Sequence, residues 1–348
     1  MNSDPDGNSW PRVTFLVPTL NSAQTIEECL QSIFESDYPT GKIQAWILDG
    51  YSEDDTVRLA AKFPARVTRV TGNPAKAYNS VIGAVVTPLV ALVDSDARVS
   101  RTWLKTLVLS LETSGAEAAG SRISTWSRGS RWSQAIGAEL AIRYTELPSV
   151  VERIATTCMI IRTQTLKEIG GFDAALATGY DAALGYELNR LGKTIVFNPE
   201  AQVYHLHRPS LQGYVRQQFR YGQDSVLLVR KWPRALAGDS VTPIWMTVQP
   251  IILVSLAVAS SLILLVPPLS GFFAAVIATG SLVLALTWIG LAVKVSMQNR
   301  GFSAFLMTVA IQAIRAEAWT LGILRGAAGL AAALLLESSR RTGMHKPK

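Results

Sequence analysis

No charged residue occurs from Ile244 through Val293, and that gap divides the chain into two parts that cannot share one kind of core. Within it, Trp245 to Val266 and Phe272 to Val293 are each long enough for a membrane span of roughly 20 apolar residues, with the Pro267-Pro268 turn between them. A membrane hairpin is the expected structure. Arg234 and Lys294 flank it, so the excess of positive charge on the cytoplasmic side returns the chain to the cytoplasm after the second span. The following stretch, Phe302 to Leu336, is also apolar and helical but carries Arg315, Glu317 and Arg325. A third span, a re-entrant piece and an interfacial helix all remain open for it. A third span would place Arg340, Arg341, Lys346 and Lys348 on the far side, against the same charge rule.

The 348 residues suffice for one large α/β domain and a smaller unit. The net charge of +7 is concentrated beside the apolar segments, at Arg216, Arg220, Arg230, Lys231 and Arg234. That placement favours membrane lipids as the partner and not nucleic acid. Cys29 and Cys158 stand alone, outside any CxxC or Cys/His spacing, which fits a reducing compartment. MNSDPDGNSW has acidic residues and no apolar centre, unlike a cleaved signal peptide. The expected division is a disordered N-terminus (1–11), a catalytic domain (12–208), an amphipathic interfacial helix and linker (209–243), membrane helices (244–336, with spans at about 245–266 and 272–293 and an open third segment at 302–336), and a basic tail (337–348). The first part is expected in the cytoplasm and the whole chain at the plasma or inner membrane.

Before the gap, short apolar runs alternate with helical patterns. Val13 to Pro18 precedes a helix with Ile26, Cys29, Leu30, Ile33 and Phe34 on one face; Ala45 to Leu48 precedes a helix near Thr56 to Lys62. Arg66 to Val70 then precedes Ala75 to Val86, and Leu89 to Val93 precedes a helix carrying Leu104, Leu107, Val108 and Leu111. This alternation predicts an α/β fold with a mainly parallel sheet and helices on both faces, whose ligands sit beyond the carboxyl ends of the strands. Gly115 to Val150 reads as a strand followed by a mobile or substrate-facing helix. Cys158 to Ile161, a helix near Asp181 to Leu191 and a last strand at Thr194 to Phe197 complete the pattern, with His205 and His207 beyond it.

Chemistry enters at Asp94-Ser95-Asp96, directly after an apolar strand. Two carboxylates there can hold Mg2+ or Mn2+ against a diphosphate, because hard oxygen ligands and phosphate oxygens share such cations. Solvated turns use the same residues, so the tripeptide gains weight from its surroundings. VPTLN at Val17 to Asn21, ILDGYSEDDT at Ile47 to Thr56, Asn79, the Asp-Ser-Asp and IGGFD at Ile169 to Asp173 follow in the order and spacing of the family 2 glycosyltransferases, which the chain resembles from about residue 12 to 232. SLQGYVRQQFRYG and the apolar C-terminus are similar to membrane-associated, succinoglycan-type transferases of polysaccharide assembly.

The resemblance implies a GT-A fold, an inverting mechanism and a nucleoside-diphosphate sugar donor. It places Pro18, Asp49, Asn79 and Asp94 on the donor side, Asp96 on the metal and Asp181 as general base on the acceptor hydroxyl. Tyr180 and Ala183 stand where the family has acidic neighbours of that base. His205 is the better positional match of the two late histidines for a third metal ligand. Gln217, Arg220 and Tyr221 correspond to an acceptor or diphosphate motif, with tyrosine in place of tryptophan. Each has a plain alternative: a turn for Asp49, a helix cap for Asp181, a surface histidine for His205, a lipid-facing helix for Arg220. The expected reaction moves a sugar onto a lipid-linked, polyprenyl-borne glycan. A processive polysaccharide synthase, a polyprenyl-phosphate sugar synthase and a catalytically silent membrane scaffold are the alternatives.

Overall fold

The structure, a computed structural model, describes residues 10–39, 41–299 and 301–343. Most of the expected disordered N-terminus and the end of the expected basic tail, with Lys346 and Lys348, therefore lie outside the described residues. The chain forms two compact units: one runs to Pro209 and includes Asp239–Val241, and the other holds Ser210–Gly238 and the remainder from Thr242.

The first unit opens with β1 (Val13–Thr19), α1 (Ile26–Phe34), β2 (Ile43–Asp49), α2 (Thr56–Ala60), β3 (Ala65–Arg69), α3 (Pro74–Ile82) and β4 (Leu89–Leu92). Each βα step brings the next strand back parallel to the last, giving the order β3-β2-β1-β4. All four residues of β4 are buried, as a strand covered on both faces requires. Ile26, Cys29, Leu30 and Ile33 turn the spacing of α1 into one buried face, while Phe34 stacks on Phe63 at 6.1 Å. Asn73 caps α3 by accepting the Lys76 N–H, and Pro74 occupies the first turn, where a missing N–H removes nothing.

Past β4 come β5 (Ala97–Val99), α4 (Trp103–Ser114), β6 (Ala118–Thr125), α5 (Arg131–Thr145), β7 (Val150–Val151), β8 (Met159–Arg162), α6 (Thr163–Glu168), α7 (Tyr180–Arg190) and β9 (Ile195–His205). Here the sheet becomes mixed. β8 runs antiparallel to both β4 and β6, β9 is parallel to β6, and β5 and β7 are antiparallel to β9. The last strand is longer than the alternation up to Phe197 predicts. Asn198, Pro199 and Glu200 interrupt the apolar pattern, but a register shift opposite Ser121/Arg122 absorbs them and the ladder resumes through His205. His205 is thus the final residue of a strand and not part of the loop beyond it.

In the second unit, α8 (Leu211–Lys231) is followed by α9 (Ile244–Thr247), α10 (Gln249–Leu265), α11 (Ser270–Asn299) and α12 (Phe302–Gly343). By length and composition, Ile244–Leu265, Pro267–Gln298 and Phe302–Leu336 are three segments apolar enough to cross a membrane. The buried face of α8 carries Tyr214, Gln218 and Gly222. A Cβ at Gly222, Gly322 or Gly326 would meet the backbone carbonyls of Trp319, Phe219 and Gln223 respectively, so these glycines let α8 and α12 approach backbone to backbone.

Candidate active site

The carboxyl ends of β1, β2 and β4 meet at one edge of the sheet, and short polar contacts lock their loops together. The Asn21 side chain accepts the Glu53 N–H at 2.9 Å, Thr56 Oγ1 accepts the Ser22 N–H at 2.7 Å, and the Ser22 and Ser95 hydroxyls lie 2.8 Å apart. The last contact ties the loop after Pro18 to the Asp-Ser-Asp turn. Ser22 is a member of the edge that no sequence pattern singled out.

β5 leaves the Asp-Ser-Asp turn and pairs antiparallel with β9, so that Ala97 faces His205 across the ladder. The pairing is what carries a residue so distant in sequence to the aspartates. His205 Nε2 lies 3.0 Å from Asp96 Oδ1 and 4.0 Å from Asp94 Oδ2. Asp94, Asp96 and His205 can each offer one ligand atom within 4.8 Å of the others, the one such group among the described residues. Burial, with the charge of Asp96, pushes the Asp94 carboxyl up to about 6. Burial would raise Asp96 too, but the charge and hydrogen bond of His205, helped by Arg208, hold it below the usual carboxylate range. His205 is in turn raised: burial opposes its charge, and Asp96 outweighs that.

Behind His205 stands His207, 6% exposed, with the two Nδ1 atoms 3.1 Å apart. Burial, then the charge of His205, pushes His207 down to about 3. A Cβ at Gly137 of α5 would strike Thr125 and the imidazole of His207, so the glycine is required where the helix covers this ring.

Asp181 lies in the first turn of α7, whose N-cap is Gly179 with no side-chain cap bond. It does not serve as the cap residue; instead its Oδ2 accepts Arg153 Nη1 at 2.9 Å. Its charge adds a last and smallest contribution to the rise of the Asp94 carboxyl. Tyr180 packs edge-on against Phe172 at 5.7 Å and Tyr78 at 6.3 Å, and Ala183 is buried, so both replacements of acidic residues are absorbed by packing.

The other expected donor residues divide. Pro18 lies in β1 beside Leu48, near the end of the strand. Asp49 ends β2 fully buried; its carboxylate accepts the Ser52 N–H at 3.2 Å, and Arg69 Nε stands 3.9 Å away. In this arrangement it braces the turn bearing Tyr51, whose φ is 66°. Asn79 lies in α3, with its amide gripping the backbone N–H and C=O of Phe172, both at 2.8 Å. That clamp holds the Gly170-Gly171 turn, where both glycines have positive φ. Gln217, Arg220 and Tyr221 lie on α8 in the second unit, with Arg220 and Tyr221 exposed.

Three comparisons bear on this arrangement. The pre-mycofactocin glycosyltransferase of Mycobacterium tuberculosis is 25% identical over 241 residues, covering 66% of this chain and 50% of its own length. The chain thus spans about half of that curated relative. Glycosyltransferase AglE of Haloferax volcanii is 22% identical over 228 residues, 63% of this chain and 74% of its own. Among solved structures, the mannosyltransferase PcManGT of Pyrobaculum calidifontis, in complex with GDP-Man and Mn2+, is similar with a TM-score of 0.56 and 20% identity, over 93% of this chain and 89% of that one. That likeness is one of fold: the GT-A arrangement followed by apolar helices. Residues 11–223 match the family described as Glycosyltransferase like family 2, a stretch that runs from before the first strand into α8. A match of that length identifies the family, and the chain belongs to glycosyltransferase-like family 2.

Proposed function

We propose that the protein transfers a sugar, with inversion, from a nucleoside-diphosphate sugar to a lipid-linked glycan at a membrane surface, in the assembly of cell-surface polysaccharide or glycoconjugate. The observation that carries this reading is the meeting of Asp94, Asp96 and His205 at the edge where the loops after β1, β2 and β4 converge. Two carboxylates and an imidazole suit Mg2+ or Mn2+. Asp94, Asp96 and His205 would hold such a cation, which would supply charge stabilisation to a departing diphosphate. Asp181 takes the proton of the acceptor hydroxyl at its carboxylate, and Asp49 and Pro18 border the nucleotide.

The membrane reading rests on the outward side chains of the apolar helices, among them Leu264 at 81% and Leu286 at 62% exposed. α10 and α11 form the crossing hairpin. α12, itself apolar enough to cross, has its Arg315 guanidinium 5.7 Å from the ring of Trp245, at the start of the hairpin, and its glycines pack on α8. The protein should therefore remain in the membrane pellet after high salt or carbonate, and release by salt alone would show peripheral attachment.

The test of function is turnover of a panel of nucleoside-diphosphate sugars with Mn2+ or Mg2+, using lipid-linked and water-soluble forms of one acceptor glycan. No turnover of any donor points to a silent scaffold. Equal use of both acceptors removes the lipid requirement. Repeated addition to one acceptor would favour a processive synthase.

A further inference from the structure

Asp239 lies in sequence between α8 and the hairpin, yet Asp239–Val241 belongs to the first unit. Hydrogen bonds from three side chains of the first unit hold this strap. Asp239 Oδ2 accepts Arg153 Nε at 2.7 Å and the Tyr186 hydroxyl at 2.7 Å, and the Val241 carbonyl accepts Arg143 Nη1 at 2.9 Å. The Asp239 side chain is 2% exposed and that of Arg153 10%. Arg153 uses its other edge, Nη1, for Asp181. One guanidinium therefore bridges the expected base and a carboxylate of the segment leading to the apolar helices.

We propose that Asp239 is a positioning residue for sugar transfer, acting through Arg153 on Asp181. The inference rests on the reading of Asp181 as the base. Arginine's planar fork fixes two carboxylates in set directions, so the ion pair with Asp239 decides where Nη1 points and hence how Asp181 is aimed. The charge arithmetic runs the same way. A guanidinium facing Asp181 without a second carboxylate would draw on the very electron pair that must accept the acceptor's proton, and Asp239 supplies the balancing charge. Tyr186 holds Asp239 from α7, the helix that bears Asp181 itself. Because the strap directly precedes the hairpin in sequence, the aim of the base depends on a segment that the sheet alone does not include.

The experiment is a double-mutant cycle in the full-length protein in detergent or vesicles, with kcat, donor KM and melting temperature measured for each variant. Asp239→Asn should lower kcat about tenfold with donor KM unchanged, and should have no further effect in the Asp181→Asn background, as expected for residues acting as a unit. Tyr186→Phe, which removes one hydroxyl and keeps the buried ring, should lower kcat in the same selective way by a smaller factor. It carries the test if Asp239→Asn does not fold. Asp239→Glu, restoring the charge, should recover part of the loss. Equal fractional losses in the wild-type and Asp181→Asn backgrounds, or folded variants with unaltered kcat, overturn this inference and leave the base reading standing. Full transfer by Asp181→Asn alone overturns the base reading, and this one with it.

Discussion

In the first unit Phe15, Leu16 and Ile47 are wholly buried, while Asp55 and Arg58 stand in solvent with side chains 62% and 64% exposed. In the second the arrangement is reversed: Gln312 and Thr308 are wholly buried and Arg315 is 3% exposed, while Phe272 and Leu335 are 64% and 68% exposed. Gln312 donates to the Trp288 carbonyl at 2.9 Å, a polar contact turned inward between helices. On the proposed membrane reading, the contrast means that the two units are built against different solvents. Water drives the first together by burying apolar area. For helices whose surroundings are as apolar as themselves that force is absent, and close backbone contact at glycines with a few inward polar bonds takes its place.

The comparison is sharpened by changes that should act on chemistry alone. The largest effect is expected from Asp96→Ala, which removes a carboxylate from the proposed cation site and should reduce transfer by about a thousandfold or more. Circular dichroism and membrane retention should not change. Full turnover in excess chelator would sink the metal assignment, and loss of helical signal would show that the site and the second unit are not separable. Asp181→Asn should retain donor binding while transfer falls by a factor on the order of 10²; binding that falls in step with turnover would make Asp181 structural.

Arg220→Ala tests whether the second unit takes part in recognition or only anchors. On the proposed reading, use of a lipid-linked acceptor falls about tenfold, the scale of one hydrogen bond to a charged group, with donor binding unchanged. An equal effect on a soluble glycan would reduce α8 to an anchor. The smallest effect is expected at the cysteines. Burial, with the charges of Asp96 and Asp94, raises the Cys29 thiol, and burial pushes Cys158 up to about 12. Both remain protonated at neutral pH, so a thiol reagent should find them inert in the folded protein and reactive once it is denatured. Rapid labelling of either in the native state would mean that the core of the first unit opens.

Much of the first unit was legible in sequence because its signals are local. The Asp-Ser-Asp follows a strand whose four residues are all buried, and α1 announces its buried face by spacing alone. Asp181 was singled out by a neighbourhood of residues in order, and the fold adds its place in the first turn of α7 and its bond to Arg153. Arg153 and Asp239 were not: they lie far apart in sequence, in irregular segments with no period, and only the folded chain brings them together. β9 was read short because Pro199 breaks an alternation that a bulge repairs, and nothing in the alternation marks β8 as antiparallel to β4. Asn79 shows the reverse limit, since a residue expected at the donor has its amide engaged by a neighbouring turn.

The pairing of β5 with β9 bears on how the protein is made. A ribosome delivers the Asp-Ser-Asp turn and β5 early, but β5 lies at the end of the sheet order, next to β9, the last strand to emerge. Until residue 205 has appeared the nascent chain holds an open strand edge and two neighbouring carboxylates without their histidine. Long-range pairing of this kind is slow to close and exposed while it waits. The first unit thus reaches its final form only as the segment leading to the apolar hairpin is being synthesised, so that, on the proposed membrane reading, completion of the site and delivery to the membrane fall in the same interval of translation.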